Sequence, residues 1–191
     1  MTAPLSKYRD RRPASVPGPV FIEGDRTDLR TIEKADVPFL EEGINHPAMR
    51  RYAGGDVPYN RPRYEGERFD TLSDGDIVQL IVCDGDERLG DVSLAPVDER
   101  RGWANLGYRV HPGHQGEGYA TDAARLVVSH GFDELRLHRV SATVVADNEA
   151  FRRVLEKLGS VHEGTKRDDA FVDGTYVDRE LYAVLREEWA G

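Results

Sequence analysis

The chain has 191 residues, a single cysteine and a formal charge of −9. That length suits one domain with a core large enough to need no staple, and the lone Cys83 excludes an internal disulfide. The acidic balance speaks against a general nucleic-acid binder, and the lack of a membrane-length apolar run points to a soluble, cytoplasmic protein.

Residues 1–19 combine basic and proline-rich stretches without periodicity and read as a flexible leader, leaving residues 20–191 as the folded domain. Val20–Glu23 and Asp28–Ile32 predict a short hairpin around Gly24-Asp25. Ala35–Asn45 predicts a helix with Val37, Leu40 and Ile44 on one face, and another begins at Asn60 with Pro62 in its first turn. The segment His46–Tyr59 between them reads as a loop. Three runs, Asp76–Cys83, Arg88–Val97 and Gly102–Val110, are separated by turn-like residues and predict an antiparallel meander. Cys83 ends an apolar run, which favours a buried, inert thiol.

A helix over 117–134 follows, with Ala120, Ala124, Val127, Val128 and Gly131 at helical spacing, and then a buried-type strand, 139–146. Asp147-Asn148 would cap a further helix whose apolar face is Phe151, Val154, Leu155 and Leu158, ended by Gly159. Strands near Val161–Thr165 and Tyr176–Val184 close the chain. The whole reads as an α+β domain with a mixed sheet, in which strand, helix and strand over 103–146 form a βαβ unit with two parallel neighbours.

The chemistry is concentrated in Leu106-Gly107-Tyr108-Arg109-Val110-His111-Pro112-Gly113-His114-Gln115-Gly116-Glu117-Gly118-Tyr119-Ala120-Thr121. Here a strand runs into a glycine-rich loop that opens a helix, and such a loop offers bare backbone N–H groups at the positive end of a helix dipole. A phosphate-bearing ligand is the natural occupant. A P-loop would need Lys after the last glycine, where Tyr119 stands; the dinucleotide fingerprint would need a third glycine where Thr121 stands. Gln115-Gly116-Glu117-Gly118-Tyr119-Ala120 does match the pattern Gln/Arg-x-x-Gly-x-Gly/Ala.

With that hexad, Gly107-Tyr108 before it, Thr121-Asp122-Ala123 after it and Asp147-Asn148…Glu156-Lys157-Leu158-Gly159 further on, the chain resembles the GNAT superfamily of acyl-CoA-dependent N-acyltransferases, in particular its Rim-type ribosomal-protein N-terminal acetyltransferases. The resemblance spans about residues 20–186 and implies a mostly antiparallel sheet flanked by about four helices. It also implies a splay between the fourth and fifth core strands, here 103–110 and 139–146. It implies acetyl-CoA as co-substrate, no metal, and direct transfer of the acetyl group to a primary amine in a ternary complex. It places the CoA pyrophosphate on Gln115, Gly116, Gly118, Tyr119, Ala120 and Thr121, and the pantetheine arm along Tyr108, Arg109 and Val110. Asn148 would contact the CoA arm, cap the helix, or do both.

Two positions depart from the family pattern. Asn105 stands where many relatives carry a Glu facing the amine, and an amide can orient a water or substrate but cannot take a proton. Phe151 and Leu155 stand where relatives often carry a Ser and an acidic Tyr. The catalytic candidates are therefore Asn105, and as base Asp91, expected to approach Asn105 from the adjacent strand; Ser93, Glu42, Asp56 or a water chain are alternatives. His111 and His114 beside the loop would shape the turn or touch phosphate. Asp56, Asp168, Asp169 and Asp173 around the expected acceptor side would favour a cationic amine such as a peptide N-terminus, polyamine or aminoglycoside. A degenerate module that binds acyl-CoA without turnover is the alternative function, and monomer and homodimer are both open.

Overall fold

The computed structural model describes residues 17–53, 57–68, 71 and 75–191. Its centre is one eight-stranded sheet in the order β1-β2-β3-β4-β5-β6-β8-β7. The strands are β1 (Val20–Ile22), β2 (Asp28–Arg30), β3 (Val78–Asp84), β4 (Glu87–Asp98), β5 (Trp103–Val110), β6 (Arg139–Val145), β7 (Val161–Val172) and β8 (Thr175–Leu185). Every neighbouring pair is antiparallel except β5 and β6, which are parallel. The helices among the described residues are α1 (Val37–Asn45), α2 (Pro47–Ala53), α3 (Arg61–Arg63, continued by a π-turn over Tyr64–Arg68), α4 (Tyr119–Asp133) and α5 (Glu149–Lys157).

Side chains alternate across each strand, so the sheet has two distinct faces. On one, Leu94, Ala104, Leu106, Val140, Ala142 and Val144 pack with Ala124, Val127 and Val128 of α4 and Val154 and Leu155 of α5. On the other, Ile81 and Cys83 pack with Val37, Leu40 and Ile44 of α1 and with Tyr64. Cys83 is fully buried, and burial pushes its thiol up to about 12, so it supplies no thiolate near neutral pH.

Three outcomes differ from the sequence reading. Pro17 and Gly18 are buried, and Pro19 O accepts from Thr31 N at 3.1 Å, so packed structure reaches into the segment assigned to the leader; residues 1–16 lie outside the described ones. The supposed loop His46–Tyr59 contains α2, which starts at Pro47. The final hairpin is far longer than expected, running to a two-residue turn, Asp173 (φ 50°) and Gly174 (φ 87°), the conformation that matches strand twist. The remaining elements follow the predicted pattern to within a few residues.

Candidate active site

The splay has a plain structural basis. β5 and β6 pair only through Trp103, Ala104 and Asn105 opposite Arg139, Val140 and Ser141. Beyond that point β5 stays with β4, as far as Val110 opposite Gly90, while β6 stays with β8, as far as Val145 opposite Arg179. The strands therefore part, and the inner side of β5 loses its ladder partner. Arg109 O lies against Gly90, where a Cβ would come within 2.0 Å of it, and His111 N donates to Leu89 O at 2.8 Å. By alternation, Tyr108 and Val110 turn their backbone N–H and C=O groups into the gap. Tyr108 also stacks on Phe151 of α5, with ring centroids 4.4 Å apart and planes within 7°. Burial pushes the Tyr108 phenol well above its ordinary range, so it remains protonated.

One cleft, about 440 Å³, opens on the α4–α5 face and is lined by Tyr108, Arg109, Val110, His114, Gln115, Gly116, Gly118, Tyr119, Ala120, Thr121 and Asn148, among others. The glycine loop forms its rim. Gln115 Nε2 donates to Val110 O at 2.9 Å and ties the loop back to the end of β5. Gly116 and Gly118 have φ of 86° and 89°, a region that favours glycine, and Gly118 occupies the N-cap of α4 without any side-chain cap. Gly118 O accepts from Thr121 N and Asp122 N, which leaves the N–H groups of Tyr119 and Ala120 without intrahelical partners at the positive helix end. Asp122 accepts from Thr27 N at 3.1 Å and Thr27 Oγ1 at 2.6 Å, fixing this first turn against β2.

Cations complete the rim. Arg26 Nη2 donates to Glu117 O at 2.9 Å and its guanidinium stands over the Tyr119 ring, while Arg153 and Lys157 line the cleft from α5. The sequence reading missed these three, because turn and helix-surface cations carry no local signal of what they face. Asn148 caps α5, its Oδ1 accepting from Phe151 N at 3.1 Å, and it lines the cleft as well.

A second cleft, about 550 Å³, lies on the opposite face and is lined by Trp103, Asn105, Ser141, Thr143, Lys166 and Arg179, among others. Tyr52 of α2 borders both clefts, so the two meet at the splay. Helix α2 is held there by Arg51, which reaches Asp147 at 2.6 Å and Asp173 at 3.3 Å. Two of the acids in this region are thus spent on docking a helix.

The expectation for Asp91 is corrected by strand register. Asp91 pairs with Arg109, four positions along β5 from Asn105, so it stands about 13 Å from that residue. Its Oδ1 accepts from Arg109 Nε at 2.8 Å, and its Oδ2 accepts from Arg109 Nη2 at 2.9 Å and Gln79 Nε2 at 2.8 Å. Burial works against the Arg109 charge, and the Asp91 carboxylate together with the Tyr64 side chain outweighs it, holding the guanidinium above its ordinary range. The Arg109 side chain is accordingly committed to Asp91. Ser93 Oγ donates to Gly107 O at 3.4 Å, and Glu42 is exposed on α1. Asp56 lies outside the described residues. His111 stacks on Phe39 at 4.6 Å, whereas His114 approaches Glu87 at 3.7 Å and also lines the cleft at the glycine loop. Among the described residues no cluster of His, Cys, Asp and Glu could hold a metal ion.

Residues 26–161 match the family described as the Acetyltransferase (GNAT) domain. The uncharacterized N-acetyltransferase p20 of Bacillus licheniformis is 26% identical over 173 residues, which cover 87% of this chain and 97% of that one. The putative ribosomal N-acetyltransferase YdaF of Bacillus subtilis is 35% identical over 102 residues, covering 53% of this chain and 56% of its own length. The fold superposes on the crystal structure of spermidine N-acetyltransferase from Vibrio cholerae in complex with CoA and spermine with a TM-score of 0.82 at 23% identity, over 88% of this chain and all of that one. With the splayed βαβ unit and the glycine loop in place, the chain belongs to the GNAT family of N-acetyltransferases.

Proposed function

We propose that the protein transfers an acetyl group from acetyl-CoA directly to a primary amine, on a small molecule or a peptide N-terminus, in a ternary complex. The observation that carries this reading is the meeting of two clefts, on opposite faces of the sheet, at the β5–β6 gap. Only the first carries a glycine-loop cradle of backbone N–H groups at its rim. The pyrophosphate is assigned to Gly116, Gly118, Tyr119, Ala120 and Thr121, with Arg26, Arg153 and Lys157 as counter-charges. The pantetheine amides are assigned to the gap-facing backbone groups of Tyr108 and Val110. Arg109 lines the same cleft between them, its side chain held by Asp91.

In this reading the neutral amine attacks the thioester carbonyl from the opposite cleft. The C–N bond forms, the oxyanion accepts from the Val110 N–H, the C–S bond breaks, and the thiolate departs with a proton. The amine proton leaves through water oriented by Asn105, since no carboxylate among the described residues lines the acceptor cleft. Among the described residues no helix is long and apolar enough to cross a membrane. A cytoplasmic protein would meet its acetyl-CoA there.

The test is twofold. Acetyl-CoA at a hundredfold excess over Kd should stabilise the folded protein by about 2.7 kcal/mol, read as a raised melting temperature. Thiol release across a panel of amines should then identify turnover. No stabilisation would overturn the reading, and stabilisation without release for any amine would favour an acyl-CoA-binding module.

Asn148 separates its two roles in the same assay. Asn148→Ala removes the helix cap and should cost about 1 kcal/mol of stability. Asn148→Asp retains a capping oxygen and should keep that stability. If Asn148 also contacts the CoA arm, Asn148→Asp still raises the KM for acetyl-CoA. An unchanged KM would leave it a cap alone.

A further inference from the structure

The acceptor cleft is cationic on the side away from the splay. Lys166 of β7 and Arg179 of β8 both line it, and they are direct partners in the β7–β8 ladder. Like charges directly opposite on one sheet face repel and destabilise the pair. One carboxylate stands close, Asp169, whose Oδ2 lies 3.5 Å from Arg179 Nη1. Lys166 makes no ion pair among the described residues. No carboxylate among them lines the cleft, so its walls carry two cations against one neighbouring acid. The strand is shaped to hold this arrangement. The β7–β8 register breaks between Lys166 and Ala170, with Asp168 at φ 53° and its N–H donating to Asp178 Oδ1 at 2.9 Å. Bulges of this kind re-aim side chains beside functional sites.

Thr143 is opposite Leu181 and Val145 is opposite Arg179, so Arg179 sits two positions beyond Thr143, about 7 Å along the sheet. Trp103, Asn105 and Thr143 add an apolar wall and polar groups to the same cleft. A polyamine would bring further positive charge against Lys166 and Arg179.

We infer that the acceptor is a primary amine bearing a carboxylate close to its nitrogen, bound through Lys166 and Arg179. This rests on the acetyl-transfer reading and narrows its substrate. The test measures thiol release by the full chain at saturating acetyl-CoA. The acceptors are free aspartate and glutamate, peptides beginning with Asp or Glu, the fully amidated form of each, and spermidine. Each carboxylate form is expected to exceed its amidated form by about tenfold or more in kcat/KM. The free-acid and peptide arms show whether a small molecule or a chain terminus supplies the anion. Lys166→Glu combined with Arg179→Glu should abolish or invert that ratio while leaving the KM for acetyl-CoA unchanged; Lys166→Gln should reduce it partly. Faster acetylation of amidated compounds or spermidine by the wild-type protein overturns the inference, as does a ratio that charge reversal leaves unmoved. If no amine turns over, calorimetric binding of the same compounds to the protein–CoA complex reads the same preference. A protein that fails to bind acetyl-CoA at all instead defeats the acetyl-transfer reading.

Discussion

Gly118→Ala is expected to cut acetyl-CoA affinity by tenfold or more while costing the fold only a modest share of its stability. Gly118 sits at φ 89° on the first turn of α4, where an L side chain is strained by about 1–2 kcal/mol. Its Cβ would fall 3.1 Å from Arg26 Nη1, the mobile end of a long side chain, so the steric cost within the protein is small. The ligand cost is larger. Relief of the strain rotates the peptide that aims the Tyr119 and Ala120 N–H groups, and the added methyl stands at the cradle proposed for the pyrophosphate. Gly85→Ala supplies the control. Gly85 also has positive φ (57°), and a methyl added there would meet nothing within 4 Å, but it lies in the β3–β4 turn and does not line the cleft. It should lower the melting temperature similarly and leave acetyl-CoA binding intact. Equal ligand-induced stabilisation of Gly118→Ala and wild type would show that the loop does not hold the donor.

Asp91→Ala is expected to destabilise the protein by about 3–5 kcal/mol, because it strands the Arg109 guanidinium inside the fold. Asp91 and Arg109 side chains are 9% and 13% exposed and joined by two hydrogen bonds, a geometry in which the pair is tolerable and either half alone is not. Paired replacement by leucine should therefore cost much less than the sum of the single changes, a coupling that a double-mutant cycle of denaturant melts can measure. A base role predicts something else. Asp91→Asn would then fold almost normally, lose kcat, and shift the pH–rate profile. If that pattern appears, the pairing with Arg109 is incidental to a catalytic carboxylate. The strand register argues against it, since Asp91 does not reach the cleft that contains Asn105.

Much of the architecture is legible in short windows. The apolar spacing on α4, the Asn148 cap and the glycine at the end of α5 each act within a few residues, so local pattern suffices. Helix α2 escaped because seven residues, Pro47–Ala53, give less than two turns of periodicity, and proline at its start also suits a loop. It is held by contacts distant in sequence: Arg51 to Asp147 and Asp173, and Tyr52 against Val145, Ala170 and Val172. The long hairpin escaped because Lys166-Arg167-Asp168-Asp169 carries the polarity of a turn, whereas exposed edge strands tolerate such residues.

The cradle proposed for the donor follows from one contiguous segment, since a strand, two positive-φ glycines and a helix start expose backbone N–H groups by local geometry alone. Local chemistry was enough for that cradle, but not for Arg26, Arg153 and Lys157 around it. The acceptor side depends on partners that only the folded sheet brings together. Register took Asp91 away from Asn105 and gave it to Arg109. The β7–β8 ladder set Lys166 beside Arg179, and α2 placed Tyr52 at the junction of both clefts. Charges and side chains far apart in sequence leave no periodic trace, so their meeting is decided by strand pairing and helix docking.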